Sequence, residues 1–413
     1  HNHLKFNTMS QKNYFLLAIL ALSTLVQAAE PVKFKLYGFV RTEAFYNSRE
    51  NTQAMDGLLN LIPKPIQNNL TGDDINGTSQ LEMLSVATRL GVDMSGTEFL
   101  GAKASAKIEA DFSGVGTTYF LFNLRQANVK LNWENTELLV GQTWHPLFGN
   151  VLPTHNSLNI GAPFQPFNRS PQIRVKQNIT SGLSLTGAAI YQMQFLSQGP
   201  NGASAVYQKQ AMLPNLNLTA EYKTTHWLSG AGLDFKVIRP QYNERLASTS
   251  FVAFSQYSDN MLQLKAKAIL GQNLTDHLMI GGYGVSAINS GVTEYTNLNT
   301  FTTWFNAEYG KKWQVGIFAG LSKNLGSDKT LFQIPVINNV IVYGNGFYNT
   351  SQEMTDQLWR VVPHINYSYS NIKIGLEYEL TNAMFGRVQA NGKVANPYDV
   401  NNHRVMAMIS YNF

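Results

Sequence analysis

The sequence predicts an all-β chain closed into a transmembrane antiparallel β-barrel of about sixteen strands, with one long connection folded inward as a constriction loop. Three observations carry this prediction. The first is a period of two. "GAKASAKIEADF" puts Ala102, Ala104, Ala106, Ile108, Ala110 and Phe112 on one side and Lys103, Ser105, Lys107, Glu109 and Asp111 on the other. Neighbouring strand residues point to opposite faces, so such a segment has one apolar and one charged face. "MLQLKAKAIL" and "NIKIGLEYEL" repeat the pattern, over the roughly ten residues that a tilted strand needs to cross a bilayer. The second observation is an alternation of short connections (95–100, 132–136, 180–182, 223–226, 259–260, 310–311, 370–371) with long ones (47–82, 146–168, 196–213, 271–298, 325–355, 385–401). Short turns on one side of a membrane and long loops on the other are the habit of bacterial barrels. The third is composition. Charged residues are 14% and aromatics 12%, with 19 Tyr and 23 Phe. Asn, Gln, Ser, Thr and Gly supply the polarity, a mixture that favours strands and turns over helices.

Taken in order, residues 1–8 read as an upstream extension. Residues 9–28 read as a secretory signal peptide: Met9, Lys12, an apolar stretch over 14–26, and Val26-Gln27-Ala28 as the cleavage site. The apolar stretch is shorter than the ~20 residues of a membrane-spanning helix. The barrel then occupies 29–413. Its strands are expected at 33–47, 84–96, 101–112, 121–133, 136–145, 170–179, 182–195, 215–223, 226–238, 249–257, 259–271, 298–309, 312–324, 356–370, 371–384 and 402–413. "DHLMIGGYGVSA" also has strand character, but counting it would make the total odd, so it is placed in a loop. The final "VMAMISYNF" directs Val405, Ala407, Ile409, Tyr411 and Phe413 to one face. An unpaired apolar edge invites aggregation, so this strand is expected to pair with the first and close the barrel, with Tyr411 and Phe413 at the lipid boundary.

Much chemistry is excluded. The chain has no cysteine, so disulfides and thiolate chemistry play no part. It has no H-E-x-x-H, P-loop or G-x-S-x-G motif, and no cofactor or metal is expected. "GYGVSA" matches the loose G-x-G-x-x-A pattern but no helix is expected after it. Asp73 and Asp74 are expected in a solvated loop. A net charge of +5 without a dense basic run excludes nucleic-acid binding as a primary role.

The polar faces carry the functional signal. Alternation directs Arg41, Arg89, Lys103, Lys107, Lys130, Arg174, Lys176, Lys223, Lys265, Lys267, Arg360 and Arg404 into the lumen. With them go Glu43, Asp93, Glu109, Asp111, Glu221, Asp234, Glu377 and Glu379. A basic excess inside a low-dielectric wall concentrates anions. The connection "PLFGNVLPTHNSLNIGAPFQPFNRSPQIR" is stiffened by prolines and carries Phe148, Phe164 and Phe167. A loop so apolar is expected to fold into the barrel, bringing Arg169 and Arg174 near the narrowest level, opposite Arg41, Arg89 and Lys107.

"KLYGFVRTEAFYNSRE", "SVATRLGVDMSG", "GAKASAKIEADF", "NLRQANVKLNW", "LLVGQTWHPLF", "GAPFQPFNRSPQIRV" and "AAIYQMQF" resemble the DcaP-like outer-membrane porin family over 35–195. The resemblance implies a sixteen-stranded homotrimeric porin of the bacterial outer membrane, surrounded by its lipid, with some members moving dicarboxylates or other small anions. Some members carry a periplasmic coiled coil before the barrel. Only a few residues separate the expected cleavage site from Lys33, so trimerisation is expected to rest on barrel–barrel contacts. The expected function is passive diffusion of small hydrophilic solutes with a preference for organic anions. Arg41, Glu43, Arg89, Lys107, Glu109, Lys130, Arg169, Arg174, Lys176 and Arg360 are expected to line the path. Two alternatives stand beside it: a barrel enzyme of the protease or phospholipase type, using histidines such as His155 or His226 at the rim, and an adhesin or receptor acting through its long loops.

Overall fold

The computed structural model describes residues 31–413 except Asp56, 115–120 and Asn243; the expected extension and signal peptide lie outside the described residues. Sixteen antiparallel strands form a closed wall. They are β1 (Lys33–Asn47), β2 (Gln80–Leu84 continued by Arg89–Phe99), β3 (Ala102–Gly114), β4 (Leu121–Asn132), β5 (Thr136–Trp144), β6 (Arg169–Asn178), β7 (Leu183–Ile190) and β8 (Asn215–Lys223). Then follow β9 (Trp227–Gln241), β10 (Glu244–Ser258), β11 (Leu262–Gln272), β12 (Val292–Gly310), β13 (Trp313–Ser327), β14 (Glu353–Tyr369), β15 (Ile372–Val388) and β16 (Val394–Asn412). Each pairs with the next, and β16 returns to β1 with Phe39 opposite Asn412 and Val40 opposite Tyr411. The seam ends in a reciprocal backbone pair: Gly38 N–H donates to Phe413 O at 3.0 Å and Phe413 N–H to Gly38 O at 3.1 Å. Closure gives every strand of the wall a neighbour on both sides, the condition for crossing lipid with strands.

The two faces divide as the alternation requires. Ile108, Leu270, Ile374, Leu376 and Ile409 are exposed on the outside, while Lys265, Lys267, Glu377 and Glu379 are buried inside. At the short-turn end Trp227, Tyr309, Trp313, Tyr369, Tyr411 and Phe413 remain exposed, with Trp313 packed on Tyr367 at 4.6 Å between centroids. Their amphipathic rings suit the membrane–water boundary.

Two expected loops are strand instead. The connection placed at 385–401 shrinks, because β15 runs to Val388 and β16 begins at Val394. The wall also continues past the expected strand ends at β9–β10, where β9 runs to Gln241 and β10 begins at Glu244. Polar residues in these extensions hid them from a reading based on apolar alternation. The segment assigned to a loop by parity is a strand, Gly281–Asn289. It pairs with the first residues of β12, 292–297, ahead of the stretch by which β12 joins β11, and with Val342–Asn345; it is not one of the sixteen strands that close the wall, so the even count survives. Asp73 and Asp74 do lie in a turn outside the wall; Asp74 pairs with Arg49 at 3.0 Å.

The largest apolar core lies inside the barrel. It joins Leu59, Ile62, Phe148, Phe164 and Phe167 from connections to Phe254, Trp304, Phe318 and Leu358 on the wall.

Candidate functional site in the barrel lumen

The connection 146–168 crosses the interior. Its base is closed by His145 N–H donating to Asn168 O at 3.0 Å. From there it visits inward-facing residues around the wall. Lys267 Nζ on β11 donates to Phe148 O at 2.6 Å. Thr154 Oγ1 donates to Asn306 Oδ1 on β12 at 2.8 Å. Arg41 Nη2 on β1 donates to Asn156 O at 2.6 Å, and Ser157 N–H to Glu377 Oε2 on β15 at 3.1 Å. Arg360 Nη1 on β14 donates to Ala162 O at 2.9 Å. The path ends where Phe167 N–H donates to His277 O at 3.1 Å. Wall glycines give it room. A Cβ at Gly320 would lie 2.5 Å from the Phe164 ring, and one at Gly375 would lie 2.7 Å from Asn156 Nδ2. Glycine in a strand interior marks such close approach.

A second segment also folds inward, which the sequence reading did not anticipate. Asn51–Ala54 and Leu59–Pro63 form a hairpin, and all of Leu59–Pro63 is buried. Alternation of short and long connections places 47–82 as one external loop. The apolar run Leu58-Leu59-Asn60-Leu61-Ile62 was the available signal.

The expected lumen residues fall into three groups. The first binds protein. Arg41 pairs with Glu43 at 2.6 Å. Arg360 lies 3.3 Å from Glu379 Oε1. Arg169 is 1% exposed, so it is away from the open path. Its Nε donates to Gln194 Oε1 at 3.0 Å, and its guanidinium stacks over Trp144 at 4.8 Å.

A second group forms a charge network on β1–β4. Arg125 donates to Glu109 and Asp111, both at 2.8 Å, and Arg89 lies 4.0 Å from Glu109. Lys107 pairs with Asp93 at 2.8 Å and donates to Tyr37 OH at 3.0 Å. Strict alternation missed Arg125. A bulge sets Gln126 opposite Glu109 but Leu124 opposite Ala110, leaving Arg125 as the extra residue, and such an insertion re-aims a side chain.

The third group faces an open cavity of about 420 Å³ beside the start of the crossing loop, lined by Lys130, Glu137, Trp144, Arg174, Lys176 and Glu221 among others. Lys130 lies 3.2 Å from Glu137 and Lys176 lies 3.7 Å from Glu221. Among the described residues no carboxylate oxygen lies within 4.0 Å of Arg174.

The histidines considered for catalysis are apart in role. His155 is buried in the crossing loop, 3.6 Å from Glu377, whereas His226 occupies a short turn beside Ser258 O at 3.1 Å. Among the described residues no group of histidine and carboxylate side chains is arranged to hold a metal ion.

The family profile described as Gram-negative porin matches residues 16–237, more than half of the chain. The chain belongs to the Gram-negative porin family. As a porin it resides in the outer membrane and passes solutes by diffusion. Its fold is similar to the outer-membrane channel DcaP of Acinetobacter baumannii, at 16% identity and a TM-score of 0.67 over 94% of this chain and 99% of that one. An anion-selective porin from Comamonas acidovorans matches with a TM-score of 0.55 at 11% identity, over 93% and 100%. OmpT of Vibrio cholerae in its trimer form matches with a TM-score of 0.52 at 9% identity, over 93% and 100%. No curated protein sequence matches the chain.

Proposed function

We propose that this porin favours small organic anions such as dicarboxylates, and that it works as a homotrimer in outer-membrane lipid. The observation that carries the selectivity is Arg174. It faces the open cavity with no carboxylate oxygen within 4.0 Å among the described residues, while Lys130 and Lys176 beside it are paired with Glu137 and Glu221. Lys130, Arg174 and Lys176 against Glu137 and Glu221 leave one positive charge in surplus. A guanidinium presents a planar fork that matches a carboxylate. Pairing of its neighbours keeps the attraction weak enough for a solute to leave, as conduction requires. The crossing loop 146–168 then acts as the constriction, forcing solutes past this wall. The anion selectivity of the Comamonas porin agrees with this reading, as does the trimer form of the Vibrio porin with the assembly.

The test is the reversal potential across a planar bilayer in a salt gradient. Arg174→Glu should shift selectivity towards cations, and slow dicarboxylate uptake more than uptake of a neutral sugar of similar size. The shift should shrink at high salt, where the Debye length falls to about 3 Å. A folded Arg174→Glu barrel with an unchanged reversal potential overturns the assignment. Mass measurement in mild detergent tests the trimer.

A further inference from the structure

The hairpin within 51–63 and the loop 146–168 are held by one side chain. Arg360, on β14, is 1% exposed. Its Nη1 donates to Ala162 O on the crossing loop at 2.9 Å. Its Nη2 donates to Leu61 O at 2.9 Å and Asn60 O at 3.2 Å on the hairpin. Its Nε donates to Thr381 Oγ1 on β15 at 2.8 Å and lies 3.3 Å from Glu379. Glu379 in turn accepts from Asn60 Nδ2 at 2.9 Å. The guanidinium thus joins two strands of the wall to two separate inward segments. Only a planar, multiply donating group can reach carbonyls on both at once.

The hairpin does not merely coat the wall near Arg360. Met55, Leu58 and Leu59 at its far end border the same small cavity as Arg89, Asp111 and Arg125 of β2–β4, so it spans from the β14–β15 side to the β2–β4 side. Leu59 and Ile62 join the same apolar core as Phe148, Phe164 and Phe167. The pair Lys64–Glu50, at 2.6 Å, staples the hairpin's root.

We propose that the hairpin is a second constriction element, and that Arg360 is the positioning residue that sets hairpin and loop against each other and so fixes the upper size of the solute. This rests on the reading of the chain as a diffusion channel. It assigns Arg360 away from solute contact: its donors are committed to protein oxygens, and it governs the width of the path rather than its charge preference.

The experiment is single-channel recording with the full-length barrel, together with size exclusion of neutral oligosaccharides in loaded vesicles. Arg360→Ala should raise unitary conductance about twofold and admit larger sugars, because conductance follows the open cross-section. Arg360→Lys keeps the charge beside Glu379 but cannot bridge both segments. It should restore part of the wild-type limit, an order that simple destabilisation does not produce. Replacing residues 53–59 by a short Gly-Ser link removes the far part of the hairpin and keeps Asn60 on Arg360 and Glu379, and should raise the limit even where Arg360→Ala does not fold. The ion selectivity set by Arg174 should change little. Folded Arg360→Ala and hairpin-replaced barrels that both keep wild-type conductance and exclusion limit overturn the proposal. A wild-type barrel without conductance would instead overturn the channel reading beneath it.

Discussion

Lys267 Nζ lies 2.6 Å from Phe148 O. A buried lysine on the wall therefore spends its charge on the carbonyls of the crossing loop, Leu147 O lying 3.4 Å away as well. Lumen cations in this porin do two jobs. Some hold the loops, as Lys267, Arg41 and Arg360 do, and others such as Arg174 face open space. Lys267→Met should leave the wall intact and loosen the loop, at a cost of about 1–3 kcal/mol for the carbonyls left short of a donor. Phe148 O retains Gln165 Nε2 at 2.6 Å, so adding Gln165→Leu should enlarge the effect. Limited proteolysis of 146–168 and open-channel current noise measure it. Cleavage and noise at wild-type levels in the folded double variant would refute the anchoring role.

The two faces of the wall differ in what they tolerate. Leu376 is 55% exposed and faces lipid, opposite Ala407. Arginine at a lipid-facing midplane position costs ~2–4 kcal/mol. Leu376→Arg should therefore lower barrel stability by about that amount in denaturant titrations of the protein in vesicles. Lys373→Arg, inward on the same strand, should change it little. Equal penalties at both positions would contradict the alternation.

The end of the crossing loop should respond to acid. His277 lies in the connection after β11, outside the wall, with its backbone oxygen holding Phe167 N–H and its ring 4.5 Å from that of His145. Burial first, and then the Lys236 ammonium, push its pKa from 6.5 down to about 3. The anchored state thus keeps His277 neutral, while a loosened state takes up a proton near pH 6.5. The contribution of His277 to the anchor's stability is fully present above pH 6.5, falls as the pH drops, and is lost near pH 3. Each pH unit within that window costs up to about 1.4 kcal/mol. Protease susceptibility of 146–168 should rise over the same range, and His277→Gln should flatten the profile. The same acid response in His277→Gln would assign the effect to another group.

The wall was largely legible before folding. Alternation in "MLQLKAKAIL" and "NIKIGLEYEL" predicts inward lysines and glutamates and outward leucines and isoleucines, and the structure places them so. The seam between β1 and β16 was legible for the same reason, since a long apolar edge in lipid must find a partner. The inward fold of 146–168 was legible from its phenylalanines, which would not remain in water.

The errors arose where local pattern and tertiary environment part company. The extensions of β9, β10, β15 and β16 fall outside the expected strands because they lack a regular apolar alternation, which strand pairing itself does not need. Arg125 is absent from the inward set that alternation gives, because a bulge is a property of two paired strands rather than of one. For Arg169, its place in the chain, next to the loop, does not reveal that its guanidinium lies over Trp144 and Phe167.

The sequence by itself determined a closed barrel with a charged interior, because each strand's side chains must alternate between lipid and lumen, and that alternation is written in one dimension. Tertiary structure alone decided which charges are spent on protein and which remain for a solute. That choice depends on distances between groups far apart in the chain: Arg360 reaches Leu61 and Ala162, while Arg174 reaches no carboxylate within 4.0 Å among the described residues. An ion pair or hydrogen bond acts over a few ångströms, and only folding brings such partners within that range.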